Sequence, residues 1–205
     1  MCYKTAWLVK HKLLKVMVER DDRRQLDGRV EIDDAYLGGE RAGKRGRGSE
    51  NKAPFVVAVQ TSDEGHPFYV RMDRLAFSKE DINRWANQAL AASARVVSEG
   101  LHCFRAGLAG NVANHQSIVV GSDWQAVEHA QFVQVNTVLG NVKTAISGTH
   151  RAVDFAKYAH RYLAEVEYRF NRRFELGSIP ARLVRAVATT RPWPVPLLRL
   201  AEACH

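Results

Sequence analysis

No two of the three cysteines, Cys2, Cys103 and Cys204, are spaced as a C-x-x-C pair. A structural zinc site and a disulfide framework are therefore unsupported, and reduced thiols in a cytoplasmic setting are expected. There is no run of about 18 apolar residues that could cross a bilayer, and no cleavable leader opens the chain, so neither export nor membrane insertion is expected. Acidic residues are in the minority, with 22 Asp and Glu against 30 Lys and Arg, a net charge of +8. The resulting pI near 9.6 favours a polyanion such as nucleic acid over an acidic small molecule, while saying nothing about fold or sequence preference. What is present is enough apolar material, 46% of 205 residues, for one full core and short appendages.

Residues 5 to 20 carry Ala6, Val9, Leu13, Val16 and Met17 at helical spacing, with Lys10, Lys12 and Lys15 between them. Asp21-Asp22-Arg23-Arg24 ends that helix. Val30-Glu31-Ile32-Asp33 alternates as a strand over about 28 to 34, placing Val30 and Ile32 toward a core and Glu31 and Asp33 on the other side. Pro54 to Gln60 and His66 to Met72 form a hairpin around Asp63-Glu64-Gly65. Ser78 and Asp81 mark a capped helix start, followed by the apolar face Ile82, Trp85, Ala86, Ala89 and Leu90.

Arg95 to Ser98 is a buried-type strand ending at Glu99-Gly100, and Ile118-Val119-Val120 suggests a fifth. Helix is expected over about 124 to 147, and again over 152 to 173, where Phe155, Tyr158, Tyr162, Leu163, Val166 and Phe170 form a core-facing stripe. Pro192, Pro194 and Pro196 break the chain before a last short helix. Strands mixed with helices in this order fit an α/β sandwich with one sheet.

A carboxylate held at a strand end is how metal-dependent phosphoryl-transfer sites begin, which singles out Asp33; taken alone, Asp33-Asp34 reads equally as a turn former before Gly38-Gly39. Glu99 is the second carboxylate at a strand end, and Asn136 is placed to be a third ligand at the start of a helix. Lys143 follows seven residues on, about 10 Å along a helix axis and on nearly the same face, where it could hold a phosphate. Two segments offer DNA-backbone contacts. One is the glycine-rich loop carrying Lys44, Arg45, Arg47 and Lys52; the other is Arg169-Phe170-Asn171-Arg172-Arg173-Phe174, where Arg169, Arg172 and Arg173 alternate with aromatics. The bland readings are a solvated loop and a solvated helix end. His102, His115 and His150 are read as packed or solvent-exposed.

Four ordered blocks, Val30 to Gly39, Gly46 to Lys52, Val135 to Lys143 and Tyr168 to Arg173, resemble the transposase domain of a group of bacterial insertion sequences, the ISXO-like group, over about residues 4 to 203. The resemblance implies an RNase H-like α/β fold, a mixed sheet flanked by helices, over about 25 to 175. It also implies a DDE-type site of the Asp-Asp-Asn variety. Carried over by position, Asp33, Glu99 and Asn136 would hold two Mg²⁺ or Mn²⁺ ions, with Lys143 as the basic helper, and the partner would be DNA engaged by a homo-oligomer.

The chain departs from that pattern in three places. Ser98-Glu99-Gly100 stands where the group usually has Ser-Asp-Gly, lengthening one ligand arm by a methylene and favouring reduced catalysis or a DNA-binding remnant. His150-Arg151 replaces a Tyr-His pair. Full-length relatives begin with a zinc ribbon and helix-turn-helix, of which residues 1 to 24 resemble only the last part, and 176 to 205 are expected as a helical tail. A basic scaffold with no metal site would instead require Asp33, Glu99 and Asn136 to lie apart.

Overall fold

The structure, a computed structural model, describes residues 1–38, 52–119, 129–150 and 153–200, with the side chain of Ala156 left aside. Its sheet is built around β1 (Arg29–Leu37), which pairs antiparallel with β2 (Ala53–Thr61), itself antiparallel to β3 (Pro67–Arg74). On the other side of β1 run β4 (Arg95–Glu99) and β5 (Asn114–Ile118), both parallel to it, in the order β3-β2-β1-β4-β5. An antiparallel meander of three strands extended by two parallel ones, with helices on both faces, is the RNase H-like arrangement.

Strand alternation divides the core in two. Val30, Ile32, Val56, Ala58 and Val96 point to the face covered by α2 (Lys79–Ala89) and α3 (His102–Leu108), where Ile82, Trp85 and Phe104 pack on them. Ala35, Leu37, Phe55, Val57, Val59 and Val97 point to the opposite face, under α4 (Val133–Thr149) and α5 (Phe155–Phe170). The helical stripe of the sequence is used as expected, with Leu163 fully buried and Phe155, Val166 and Phe170 packed against the same cluster. Helix α1 (Tyr3–Asp21) lies along α5 through Leu14, Met17, Tyr162 and Tyr168, and α6 (Ile179–Thr189) and α7 (Val195–Arg199) pack on α1.

Several boundaries moved for physical reasons. β1 continues through Asp33-Asp34 to Leu37 because β2 goes on pairing with it as far as Leu37 and Ala53, so the carboxylates lie within a strand rather than at its end. β5 is the polar segment Asn114 to Ile118 and not the apolar run after it; an edge strand has one ladder partner and is only half covered, so it needs no apolar sequence. Val119 is exposed, and Val120 lies outside the described residues, as does the first part of the helix expected from 124. Ser78 caps α2 as expected, accepting from the Asp81 amide at 3.1 Å and donating to the Asp81 carboxylate at 2.7 Å.

The α2–α3 contact is close enough to depend on a missing side chain. A Cβ on Gly107 would stand 2.7 Å from the Ile82 side chain and 2.9 Å from the Lys79 carbonyl. Alanine normally stabilises a helix interior relative to glycine by roughly 1 kcal/mol. At this position the sign reverses: Gly107→Ala is expected to destabilise the chain by about 1–3 kcal/mol from overpacking, measured by urea unfolding.

Candidate active site

The parallel ladder between β1 and β4 ends at Ile32 and Ser98, one residue before Asp33 and Glu99. In open α/β sheets the crevice beyond the carboxyl ends of parallel strands is where ligands collect, because the chains diverge there and leave backbone and side chains free to converge on a guest. Asp33 and Glu99 leave neighbouring strands on the same face as Val97 and Ala35. Asp34 joins them, and the three residues can each offer a carboxylate oxygen within 4.8 Å of the other two. The sequence reading therefore placed Asp33 and Glu99 together, and it passed over Asp34 as a site residue, since strict alternation would send it to the opposite face.

The electrostatics of this cluster oppose ionisation of Asp33. Burial is the largest influence on Asp33, followed by the charges of Glu99 and Asp34, and together they push its pKa up to about 7. The Asp34 amide, which donates to Asp33 Oδ1 at 2.8 Å, pulls only weakly the other way. A carboxyl group with this environment binds either a proton or a cation.

Two residues upstream on the same face, Glu31 is 1% exposed and reaches α4. Its Oε2 accepts from the amides of Gln134 at 3.1 Å and Val135 at 3.0 Å, and its Oε1 from Arg29 at 2.6 Å. The Arg29 guanidinium also donates to the Gln131 carbonyl at 3.1 Å. Phe132, the residue before α4, makes no side-chain cap, so Glu31 supplies from the sheet the acceptor that the helix lacks locally, at the positive end of its dipole. Asn136 follows Val135 directly and is half-buried; Lys143 lies further along α4 and is exposed. Only the alternation of Glu31 with Asp33 hinted at this role.

Ser98 and His115 secure the other strand. The buried Ser98 hydroxyl donates to the Glu99 carbonyl at 3.1 Å and lies 2.8 Å from His115 Nε2, tying the β5 edge to the residue before Glu99. Burial, assisted by Arg105, holds the His115 imidazole below its ordinary pKa.

A second trio, Asp22, Asp73 and His160, also brings ligand atoms within 4.8 Å. Its character differs because a cation is built in. Arg71 donates to Asp73 Oδ2 at 2.8 Å and Trp85 donates to the same oxygen at 2.7 Å. Burial raises the Asp73 carboxyl, but Arg71 and His160 outweigh it and hold the group below the usual range. This trio is a compensated ion-pair network, whereas the Asp33 cluster resists its own charge.

Of the expected DNA contacts, Lys44, Arg45 and Arg47 lie outside the described residues, and Lys52 is half-buried just before β2, at the end of the sheet that carries Asp33. Arg169 is exposed. Arg172 and Arg173 have internal partners: Arg172 holds both Asp21 oxygens, at 2.7 and 3.0 Å, over the Tyr168 ring, and Arg173 donates to the carbonyls of Pro67, Phe68 and Phe170. Just before them, Asn171 pairs with the Val70 amide and carbonyl as an added strand would. The motif thus pins α5 to the open edge of β3 and to α1. These two arginines therefore have internal partners and are not a solvated helix end.

The profile of the ISXO2-like transposase domain family matches residues 25–171. No curated protein sequence matches. Among solved structures, the chain is similar to a Mos1 transposase paired-end complex with left transposon end, at 14% identity and a TM-score of 0.29, covering 88% of this chain and 61% of that one. It is also similar to the Mos1 strand transfer complex, at 13% identity and a TM-score of 0.29, covering 90% and 62%. The chain thus spans less than two thirds of the length of the Mos1 chains it matches.

Two outcomes are expected from this geometry. Between its ordinary value of 3.8 and about 7, Asp33 holds more proton in the folded than in the unfolded chain. Its contribution to stability is therefore full below about pH 4 and is lost as the pH rises through 7, by on the order of a few kcal/mol. In metal-free buffer, Asp33→Asn should remove that part of the pH dependence in chemical denaturation. Glu31→Ala, which strands two buried helix amides, should lower stability by about 1–3 kcal/mol in the same assay.

Proposed function

The chain belongs to the ISXO2-like transposase family, and we propose that it cuts and joins DNA strands at the ends of an insertion sequence, with Mg²⁺ or Mn²⁺ bound at the Asp33 cluster. The observation that carries this reading is the convergence of Asp33, Asp34 and Glu99 oxygens within 4.8 Å where the parallel ladder between β1 and β4 ends. The donor set is all oxygen and rich in charge, which suits a hard divalent cation, and the raised proton affinity of Asp33 is the unmet demand for positive charge that such a cation satisfies. In the two-metal scheme, bound ions stabilise both the attacking and the leaving oxygen of an in-line displacement at phosphorus.

The chain's own residues do the rest. Asp33, oriented by the Asp34 amide, and Glu99, whose strand is tied by Ser98 to His115, provide the anionic ligands. Asn136 adds a neutral oxygen from the first turns of α4, held against the sheet by Glu31. Lys143, exposed on the same helix, offers an ammonium to a non-bridging phosphate oxygen. Residues 25 to 175 form the catalytic domain in this reading. DNA of the element ends and target is the substrate, gripped by Lys44, Arg45, Arg47, Lys52 and Arg169 in a homo-oligomeric complex in the cytoplasm. Among the described residues, no helix is long and apolar enough to cross a membrane.

A second reading, a DNA-binding remnant without turnover, is favoured by Glu99 alone. Its extra methylene displaces a ligand oxygen on a scale of about 1 Å, which can cost roughly 10²-fold in rate. Metal-dependent cleavage and joining on the element's own ends, compared between this chain, Glu99→Asp and Asp33→Ala, separates the two. A working transposase is active as it stands and loses activity in Asp33→Ala; a silenced one gains activity only in Glu99→Asp; inactivity in all three sinks the catalytic reading.

A further inference from the structure

Helices α1 and α5 run side by side in the same direction, as the His11–Arg161 and Asp21–Arg172 contacts show, so their C-terminal ends emerge together. They do so beside Pro67 to Val70, toward the end of the sheet where β1 begins, because Asn171 and Arg173 bond there while Asp33 is further along, level with Val57 and Met72. Against these ends α6 and the turn after it form two adjoining grooves. One, of about 670 Å³, is lined by Arg20, Arg172, Arg182 and Arg185; the other, of about 850 Å³, by Arg20, Arg23 and Arg191 together with Trp193. Arg20 is the wall between them, fixed by the Ala186 carbonyl at 3.3 Å and the Thr189 hydroxyl.

The charges in this region are not balanced internally. Of the nearby carboxylates, Asp21 is held by Arg172, Glu175 by Arg182 at 3.0 Å and Asp22 by Arg71 at 3.6 Å, while Glu19 accepts from the Trp193 indole at 2.7 Å. Arg23, Arg185 and Arg191 are exposed, and their guanidinium groups make no hydrogen bond or ion pair among the described residues. Across the two adjoining grooves six arginines face only two lining carboxylates, Glu19 and Asp22, and the guanidinium groups of Arg23, Arg185 and Arg191, carried by separate segments, gain when a polyanion enters. Guanidinium forks match phosphate oxygens in pairs, and a concave trough between helices suits a rod better than a flat bilayer.

We propose that this double groove binds the phosphodiester backbone of duplex DNA, away from the strand-cutting centre and without reading sequence. The proposal rests on the DNA-acting reading above. It assigns to Arg23, Arg185 and Arg191 a backbone grip that steadies the duplex at the ends of α1 and α5 while the carboxylates act elsewhere on the molecule.

The test compares the chain, an Arg23→Ala/Arg185→Ala/Arg191→Ala variant and the corresponding triple Lys variant. Binding to unrelated duplexes is followed by fluorescence anisotropy across a salt series. Each lost phosphate contact should flatten the slope of log K against log salt by about 0.9, so the Ala variant should lose roughly 2 to 3 units of slope equally on every sequence, with the Lys variant near the parent. Thermal stabilisation by Mn²⁺ should be the same in all three, because the metal cluster is untouched. An unchanged slope in the Ala variant, with DNA binding otherwise intact, overturns the groove and leaves the proposed function standing. Absence of duplex binding by the parent chain overturns both. Loss of binding to anionic phospholipid vesicles, with DNA binding kept, assigns the groove to a membrane instead and overturns the proposal.

Discussion

The candidate site depends on one buried carboxylate that is not itself a ligand. Glu31 joins the central strand to the amino end of α4, and without it two helix amides would be buried with no acceptor. The same contact sets the distance between sheet and helix at the place where Asn136 departs. A buried carboxylate is expensive unless every lone pair is used. Here Arg29 and two amides at the positive end of the helix dipole use them, whereas Asp33, two residues on, is driven toward protonation. Adjacent positions on one strand face thus have opposite tasks, one closed by protein partners and one left open to a ligand.

The same contrast recurs across the molecule. Asp73 and Asp21 are closed by Arg71 and Arg172, and Glu167, fully buried, spends an oxygen on the Met72 amide at 2.8 Å. Burial and the neighbouring Asp73 and Asp21 raise the Glu167 carboxyl well above its ordinary range. These groups lie along the seam where α1, α5 and β3 meet, and they lock the edge strand that would otherwise present a free ladder. Positive charge left over from that locking is collected at the far end of α1 and on α6.

Much of the fold was legible because its strands and helices follow simple periods. The alternation Val30, Ile32 against Glu31, Asp33 assigned faces correctly, and Ser78 with Asp81 announced the start of α2. β5 was not legible, since Asn114 to Ile118 has no apolar pattern and exists as a strand only by pairing with β4. The internal partners of Arg172 and Arg173 were not legible for a related reason: basic residues beside aromatics suit phosphates and bases, and equally suit a carboxylate and three carbonyls that a sequence does not show to be near.

The sequence by itself determined the residue types of the site, the faces of β1 and the excess of positive charge, because each follows from local order along the chain. Tertiary structure alone decided that Asp34 joins Asp33 and Glu99, that Glu31 serves α4, and that arginines from α1, α6 and the 190s turn line two adjoining grooves. Such convergences join residues tens of positions apart through strand register and helix packing, and no local pattern encodes the register of one element against another.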